Sequence, residues 1–411
     1  MNNMRFDKWI KISFLNLLIV SFIGVILRYK IAFSLPFVEQ KYLLHAHSHF
    51  AFTGWLSQLL MTLIVKYIFI QNKNIRLQKY RLLLGANLLS AYGMLLSFPF
   101  QGYGEVSIFF STLSIFISYA FALYVWRDLN ALPKISISHN WFKAALLFNA
   151  VSSLGAFALA FMMINKIAHA TWFLAAEYFF LHFQYNGWFF FACMGLLQQW
   201  FTEKNIVLSA NNAKAIFWLF CAAVVPAYFL SALWLPIPFW LYILVVAASI
   251  AQCGGLILLI KHIKNKQEII IAIINRPVKW LWLLSLLALA VKLLLQLGSV
   301  IPSLSQVTFG FRPIVIGYLH LVLLGMLTIF LLGYYTQTIR VHYTKWFYTG
   351  LFVFGAGIII NEVLLMLQGV NAMMYSSVPF INEMLLVTAI IMFSGLVLIN
   401  RGMWKSQIIL P

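Results

Sequence analysis

The chain has 411 residues, of which 63% are hydrophobic and 9% are charged, and its formal net charge is +19. Soluble domains carry about 25% charged residues, and a fold this apolar would expose large sticky patches to water. The composition therefore excludes an ordinary soluble protein. The positive charge does not indicate nucleic-acid binding, because the basic residues lie in short loops between apolar runs rather than in a cluster beside a soluble domain.

Apolar runs of about 20 residues or more recur along the chain, and this length spans a bilayer as an α-helix. The short alternating segments of a transmembrane β-barrel are a different pattern. The runs predict an all-α polytopic membrane protein, with about twelve transmembrane helices in a single domain covering residues 1–411. The predicted spans, numbered 1 to 12, lie at residues 8–29, 43–71, 78–99, 104–126, 140–163, 172–200, 212–233, 236–261, 277–299, 312–336, 345–369 and 379–400.

Lys and Arg residues are concentrated at both termini and in the loops that follow the even-numbered spans. Because cytoplasmic loops carry an excess of these residues, the N- and C-termini are predicted to be cytoplasmic. We expect a multi-pass protein of the bacterial inner (plasma) membrane. The outer side carries few basic residues, namely Arg28, Lys30, Lys41, Lys166 and Arg312.

Spans 2, 6 and 10 share a pattern centred on histidine, and they read HSHFAFTGW, LHFQYNGWF and YLHLVLLG. Each of His49, His182 and His320 is followed by a glycine five residues later, and the three histidines are separated by 133 and 138 residues, about a third of the chain. All three are predicted at a similar depth, roughly 9–15 Å into the membrane from the outer side. The spacing predicts three pseudo-symmetric four-helix blocks. These repeats are expected at approximately residues 1–135, 136–272 and 273–411.

Span 2 carries two further histidines. His45 and His49 are four residues apart, so they lie on one helix face and are able to chelate one metal ion. His47 lies about 200° round the helix and points elsewhere. Imidazoles are suitable copper ligands, and paired imidazoles on opposed helices can clamp a haem iron. The alternatives are that His45 is simply solvated and that His320 only hydrogen-bonds a neighbouring helix.

These features resemble the catalytic subunit of the haem-copper oxidases and nitric oxide reductases. The resemblance implies that His49 and His320 are the axial ligands of a low-spin, b-type haem, and that His182 is a ligand of a neighbouring metal. The span 2 string HAHSHFAFTGW is also similar to the HAHE-type motif of the NnrS family, which is related, contains haem and copper, and is linked to nitric oxide stress. The likeness in architecture covers the whole chain, whereas the motifs cover about 30 residues.

The chain departs from the oxidase pattern in two places. Tyr318 stands where span 10 of the oxidases has the first of two histidines, and residues 212–233 lack the histidine pair of their span 7. A standard binuclear centre therefore cannot be assembled, and the H-x-H arrangement occurs on span 2 instead. We assign His47, together with His49 and His320, to cofactor binding, and His45 and His182 to metal binding.

Two basic residues of the predicted spans also need a partner. Arg312 begins span 10, eight residues before His320, and is assigned to a haem propionate, with interfacial snorkelling as the alternative. Lys292 lies inside span 9, where an ionisable residue marks a functional site or pairs with another, so a structural Lys–Glu pair is the alternative. Three histidines fall in predicted cytoplasmic loops and are assigned no role: His139, His262 and His342.

The leading functional hypothesis is a haem-binding and copper-binding membrane protein for electron transport or for handling nitric oxide or oxygen. Its expected partners are membrane lipid, haem and an electron-donor protein on the outer face, without nucleic acid. No catalytic residue can be assigned, and enzymatic activity depends on haem being bound. The alternative hypotheses are a multi-pass transporter that uses buried Glu, Lys and His, and a non-catalytic scaffold derived from an oxidase.

Overall fold

The computed structural model describes residues 4–133, 136–304, 312–339, 341–405 and 407–408. Within these ranges the chain is nearly all helical, and its strands are the two-residue antiparallel pair β1 and β2. In chain order the elements are α1 Phe6–Ala32, α2 Gln40–Phe50, α3 Gln58–Gln71, α4 Leu77–Gln101, α5 Glu105–Asn130, α6 Ile137–Ile164, α7 Ala170–His182, α8 Phe190–Glu203, α9 Ala210–Val224, α10 Phe239–Asn265, α11 Gln267–Ile273, α12 Arg276–Gly298, α13 Arg312–His320, α14 Ile329–Thr338, β1 Val341–His342, α15 Lys345–Met373, α16 Ile381–Lys405 and β2 Gln407–Ile408.

Three π-helical segments join pairs of these helices without interrupting them. In π-helices each N–H donates to the carbonyl five residues earlier, and such turns are frequent at functional sites. The segment π1 links α2 to α3, π2 links α7 to α8, and π3 links α13 to α14. Their bounds are Ala51–Ser57, Phe183–Phe189 and Leu321–Thr328.

Ten helical stretches of the described chain are long and apolar enough to cross a membrane, and a bent pair brings the number to eleven. The pair consists of Ala210–Val224 and Pro226–Ala232. The stretch predicted at residues 172–200 is also helical, as α7, π2 and α8, but is not among these candidates. The prediction of a multi-pass, all-helical membrane protein is confirmed at this level.

Large apolar side chains on the helices are strongly exposed. Phe100, Phe352 and Leu82 expose 85%, 76% and 65% of their surface. Exposed apolar surface of this kind is costly in water and favourable in lipid. The exposed faces therefore agree with spans that lie in a bilayer.

The described chain divides into two compact units, which are treated separately. Unit 1 comprises Met1–Lys134, Ile339–Gln368 and Ser377–Pro411, and unit 2 comprises Ile135–Thr338 and Gly369–Ser376. In unit 1, α1 packs against α16 and α2, and α4 packs against α2 and α5. In unit 2, α6 packs against α7, π2 and α8, and α12 packs against α10, α14 and π3.

Span 7 was predicted as one continuous helix over residues 212–233, and this was wrong in detail. The helix α9 ends at Val224, and a 3₁₀ helix follows at a 44° bend. Pro226 is the first residue of that 3₁₀ helix, and its missing N–H prevents the regular hydrogen-bond ladder from continuing. The break leaves backbone carbonyls at the end of α9 in need of other donors.

Glycine allows close packing of α6 on α7 in unit 2. A Cβ atom built on Gly155 would lie 2.5 Å from the carbonyl oxygen of Ala176 and 2.8 Å from the backbone nitrogen of Phe180. Both neighbours are backbone atoms, so they cannot turn aside as a flexible side chain can. Small residues at membrane helix interfaces permit this approach.

We expect Gly155→Leu to destabilise unit 2 by at least about 1–3 kcal/mol, the usual cost of overpacking. The measurement is the melting temperature of the purified protein in detergent. Gly85→Leu is the matched control, because a Cβ at Gly85 meets no atom within 4 Å. Equal melting temperatures for the two variants would contradict the close approach of α6 and α7.

Candidate functional site

The three histidines of the repeated pattern each lie at the end of the helix that leads into a π-helical segment. His182 and His320 are the last residues of α7 and α13, and His49 precedes π1 by two residues. The glycines five residues after these histidines all lie within the π segments. The sequence pattern therefore coincides with a shared local backbone feature, which hydropathy does not reveal.

Buried amides donate to two carbonyl groups of π1. Asn16 Nδ2 on α1 donates to the carbonyl oxygen of Gly54 at 2.6 Å, and the Tyr92 hydroxyl donates to Asn16 Oδ1 at 2.7 Å. Asn87 Nδ2 lies 3.1 Å from the carbonyl oxygen of Thr53. These contacts fix the segment that follows His49 within unit 1.

His45 and His49 share one face of α2, as their spacing predicts, and this face meets aromatic side chains. The His49 ring stacks on Phe98, with centroids 4.5 Å apart and planes 18° apart. His49 Nε2 and the hydroxyl of Tyr103 form a hydrogen bond of 3.1 Å. The His45 ring packs edge-on against Tyr103 at 4.6 Å, and its Nε2 is buried without a hydrogen-bond partner.

We expect Tyr103→Phe to destabilise unit 1 by about 0.5–1.5 kcal/mol, because it removes one hydrogen bond and keeps the ring. The melting temperature measures this change. Tyr29→Phe is the control, because Tyr29 is an exposed tyrosine near the end of α1. A Tyr103→Phe protein as stable as Tyr29→Phe would show that the contact with His49 contributes nothing.

His47 faces α1, away from His45 and His49, as the spacing predicts. A Cβ on Gly24 would lie 3.4 Å from His47 Cε1, so this glycine accommodates the ring. The ring donates a hydrogen bond to the backbone of Val20, and its Nδ1 is buried without a partner. One nitrogen is thus held by the backbone while the other keeps a buried lone pair.

An arginine of α1 acts electrostatically on His47 in unit 1. Arg28 on α1 interacts electrostatically with His47 and with Glu362 on α15. Asn361 Nδ2 donates to Glu362 Oε1 at 3.1 Å. The sequence analysis named Arg28 only as a basic residue of the outer side. Its position inside an apolar run was the signal that could have marked it as part of this region.

In unit 2, His182 is almost completely buried and uses both ring nitrogens for protein contacts. Nε2 lies 2.8 Å from the carbonyl oxygen of Val224, the last residue of α9, and must donate because a carbonyl only accepts. Asn186 Nδ2 lies 3.1 Å from Nδ1 and donates to it. His182 therefore satisfies a carbonyl at the break before Pro226. A metal at His182 would have to displace one of these contacts.

The ring of His320, also in unit 2, is held by a hydrogen bond within its own helix. Its Nδ1 donates to the carbonyl oxygen of Ile316 at 2.8 Å, so the neutral ring carries its lone pair on Nε2. Ligating histidines commonly donate their second ring N–H to a backbone carbonyl. Tyr318, at the position of the missing oxidase histidine, hydrogen-bonds Tyr185 instead. Arg312 begins α13 and is exposed.

Among the described residues, no three His, Cys, Asp or Glu side chains lie close enough to hold a metal ion. A two-histidine haem site does not require such a group. His49 belongs to unit 1, whereas His182 and His320 belong to unit 2, so each is described only within its own unit. The assignments of His45, His47, His49, His182, His320 and Arg312 stay predictions.

Two loop assignments were wrong. His139 lies inside α6 and His262 inside α10, and they are only 4% and 9% exposed. The predicted helices were too short at these ends, because polar residues near a helix end lower the hydropathy without ending the helix. His342 falls in β1, and its side chain lies outside the described part of the structure.

No protein-family model and no curated protein sequence matches the chain. Sequence reasoning did not identify Asn16, Phe98 and Tyr103 as parts of the histidine region. Asn16 had a usable signal, since it is an amide inside an otherwise apolar run. Phe98 and Tyr103 had none, because aromatic residues are abundant along the whole chain.

Proposed function

We propose that this chain is a haem-binding membrane protein whose histidines at the π-helical segments ligate the iron. The observation that carries the proposal is the coincidence of the repeated histidines with π1, π2 and π3. Haem supplies one-electron chemistry and, with an open position, a site for nitric oxide or oxygen. Whether haem fits depends on which imidazoles have a ring nitrogen that can bind the iron.

The ring chemistry supports two of the histidines as ligands. His320 and His47 each donate one ring N–H to backbone, which sets the tautomer needed for ligation at the other nitrogen. Nδ1 of His47 is buried and unpaired, a costly state unless something binds it. His49, the ligand that the resemblance implies, instead hydrogen-bonds Tyr103 through Nε2, and this contact would open on ligation.

A second metal finds weaker support. His45 Nε2 is buried and unpaired, and it shares its helix face with His49, so copper would use this pair. His182 fits less well, because the carbonyl of Val224 and the amide of Asn186 already occupy its nitrogens. We retain copper as a proposed cofactor at His45, and His182 as a proposed ligand only in a rearranged state.

The proposal includes the finer architecture. Twelve spans in three four-helix blocks, with both termini cytoplasmic, would place the three histidines on the outer side of a bacterial inner membrane. An electron-donor protein on the outer face would then supply electrons to the haem. Arg312, at the exposed start of α13, would bind a haem propionate.

Haem and metal analysis of the purified protein tests this function. We expect extractable haem at about one per chain, with copper measured in the same sample by mass spectrometry. Protein from cells supplied with haem precursor and copper should be used, so that loading does not limit the result. Folded protein without haem would refute the proposal.

A transporter is the second candidate, and the broken span favours it. Transporters bind substrates where membrane helices are interrupted, and α9 stops at Val224 before the bend at Pro226. Solute uptake into proteoliposomes tests this function. Uptake that requires neither haem nor His320 would favour the transporter over the haem protein.

A further inference from the structure

Two tryptophans of unit 1 lie at helix ends that the fold brings together. Trp346 is the second residue of α15, and Trp404 is the last but one residue of α16. A Cβ atom on Gly402 would lie 2.7 Å from Cβ of Phe347, so the start of α15 contacts the end of α16 closely. The strands β1 and β2, which adjoin these two helix ends, pair with each other. Both tryptophans therefore belong to one surface of the unit.

The start of α1 joins the same surface. Asn400 Nδ2 on α16 donates to the carbonyl oxygen of Phe14 at 3.2 Å, which links the two helices. Lys11, one turn before Phe14, has its Nζ 5.5 Å from the ring centre of Trp404. Trp404 is 53% exposed, so this cation remains at the surface of the unit with the ring that it contacts.

Trp346 is contacted by two further cations. Cζ of Arg401 lies 4.8 Å from the centre of its ring, and Nζ of Lys345 lies 5.8 Å from it. Arg401 precedes Trp404 by three residues on α16, so the two side chains are neighbours on that helix. The contacts of the two tryptophans therefore form one continuous cluster of rings and cations.

The positive charge of this surface is almost uncompensated. Six basic residues lie at the three helix ends, namely Arg5, Lys8, Lys11, Lys345, Arg401 and Lys405. The one acidic residue at these ends within the described ranges is Asp7, which pairs with Arg5 at 3.6 Å. Such an excess of one sign of charge attracts a partner of the opposite sign.

Exposed apolar side chains continue from the basic residues along the same helices. Phe352 follows Lys345 by seven residues, or two helical turns, and is 76% exposed. Val397 and Ile390 lie on the face of α16 that carries Arg401, and they are 40% and 45% exposed. An anion with long apolar chains matches both the charge and the adjoining surface, whereas a nucleic acid or an acidic protein matches the charge alone.

We propose that the basic ends of α1, α15 and α16 form a binding site for the headgroup of an anionic phospholipid. A guanidinium stacked on an aromatic ring by its plane can bind phosphate by its N–H edge, and this is the role of Arg401 on Trp346. The acyl chains would lie along the exposed faces of α15 and α16. Tryptophan is typical of the level of lipid headgroups. The site is independent of the proposed haem.

Two lipids with the same acyl chains test the charge preference. Dioleoyl phosphatidylglycerol carries a net negative charge, whereas dioleoyl phosphatidylcholine carries none. Native mass spectrometry of the purified full chain in detergent measures the binding of each. We expect phosphatidylglycerol to bind about tenfold more tightly, the factor for one charge-assisted hydrogen bond. Glycerol 3-phosphate, which has the phosphate without the chains, should not displace it at equal concentration.

A double variant locates the site. Lys345→Gln with Arg401→Gln should lower the preference for phosphatidylglycerol to about twofold or less, and binding of phosphatidylcholine should not change. Lys261→Gln with Lys264→Gln is the matched control, because it removes the same charge from exposed positions near the end of α10 in unit 2. This control should keep the preference of the wild type.

Three results would overturn the proposal. The first is equal affinity of the wild-type protein for the two lipids, and this comparison decides even if the double variant fails to fold. The second is an equal loss of preference in the two double variants, which would show a general effect of charge. The third is displacement of phosphatidylglycerol by glycerol 3-phosphate or by polyglutamate, which mimics an acidic protein.

Discussion

Replacing His320 with alanine is expected to abolish or shift the haem spectrum of the purified protein. His320 presents a ring whose Nδ1 is tied to the carbonyl of Ile316, so Nε2 carries the lone pair that iron requires. An alanine at this position offers no ligand. The haem should then be lost or change from low-spin to high-spin, and the absorbance spectrum of equal amounts of folded protein measures this.

The same experiment should be made with His49→Ala, because the resemblance implies His49 as the second axial ligand. His169→Asn is the matched control. His169 is exposed and caps the start of α7 by accepting from the backbone N–H of Trp172, a role that asparagine also performs. Wild-type spectra from both His320→Ala and His49→Ala would show that neither histidine holds the haem.

Asn16→Leu is expected to cost roughly 2–6 kcal/mol of stability in unit 1, because two buried groups each lose a partner at about 1–3 kcal/mol. Asn16 is 0% exposed and connects the carbonyl of Gly54 to the hydroxyl of Tyr92. Leucine has the same number and branching of side-chain heavy atoms as asparagine, so no cavity is left and the loss should come mainly from these hydrogen bonds. The segment after His49 would lose its fixed position.

The melting temperature of Asn16→Leu should be compared with that of Leu15→Ala. Leu15 neighbours Asn16 but is 37% exposed, so its truncation should cost less. Addition of the Tyr92→Phe change to Asn16→Leu should recover part of the loss, because it removes one of the stranded groups. An Asn16→Leu protein as stable as the wild type would show that π1 does not need this amide.

Much of the helical architecture follows from the sequence alone. Apolar runs predict membrane helices because lipid forces the backbone to satisfy its own hydrogen bonds. The run predicted at residues 43–71 corresponds to Gln40–Gln71, and the run predicted at 345–369 corresponds to Lys345–Met373. The ends differ by a few residues, because charged and polar residues extend helices beyond the apolar core.

The π-helical segments and the bend could not be predicted in the same way. Hydropathy reports which residues avoid water, whereas a π turn depends on distant donors such as Asn16 on α1. The break before Pro226 had a local signal, but proline within a membrane helix is often tolerated. The directions of His45, His47 and His49 followed from helix periodicity and agree with the structure.

The hydrogen-bond partners of the candidate ligands could not be predicted from the sequence either. The pattern treats His182 and His320 as equivalents, yet His182 caps the carbonyl of Val224 and His320 bonds to its own helix. This difference arises from the break in span 7, which brings a free carbonyl only to His182. Repeat-related residues can therefore differ in function when one neighbouring element differs.

The reduced-minus-oxidised absorbance spectrum of the purified wild-type protein tests the central claim most directly. Histidine-ligated, low-spin haem predicts a Soret band with sharp α and β bands that appear on reduction. A folded, monodisperse protein that shows no such bands, although it was produced in cells with ample haem, would contradict histidine-bound haem as the function of this chain.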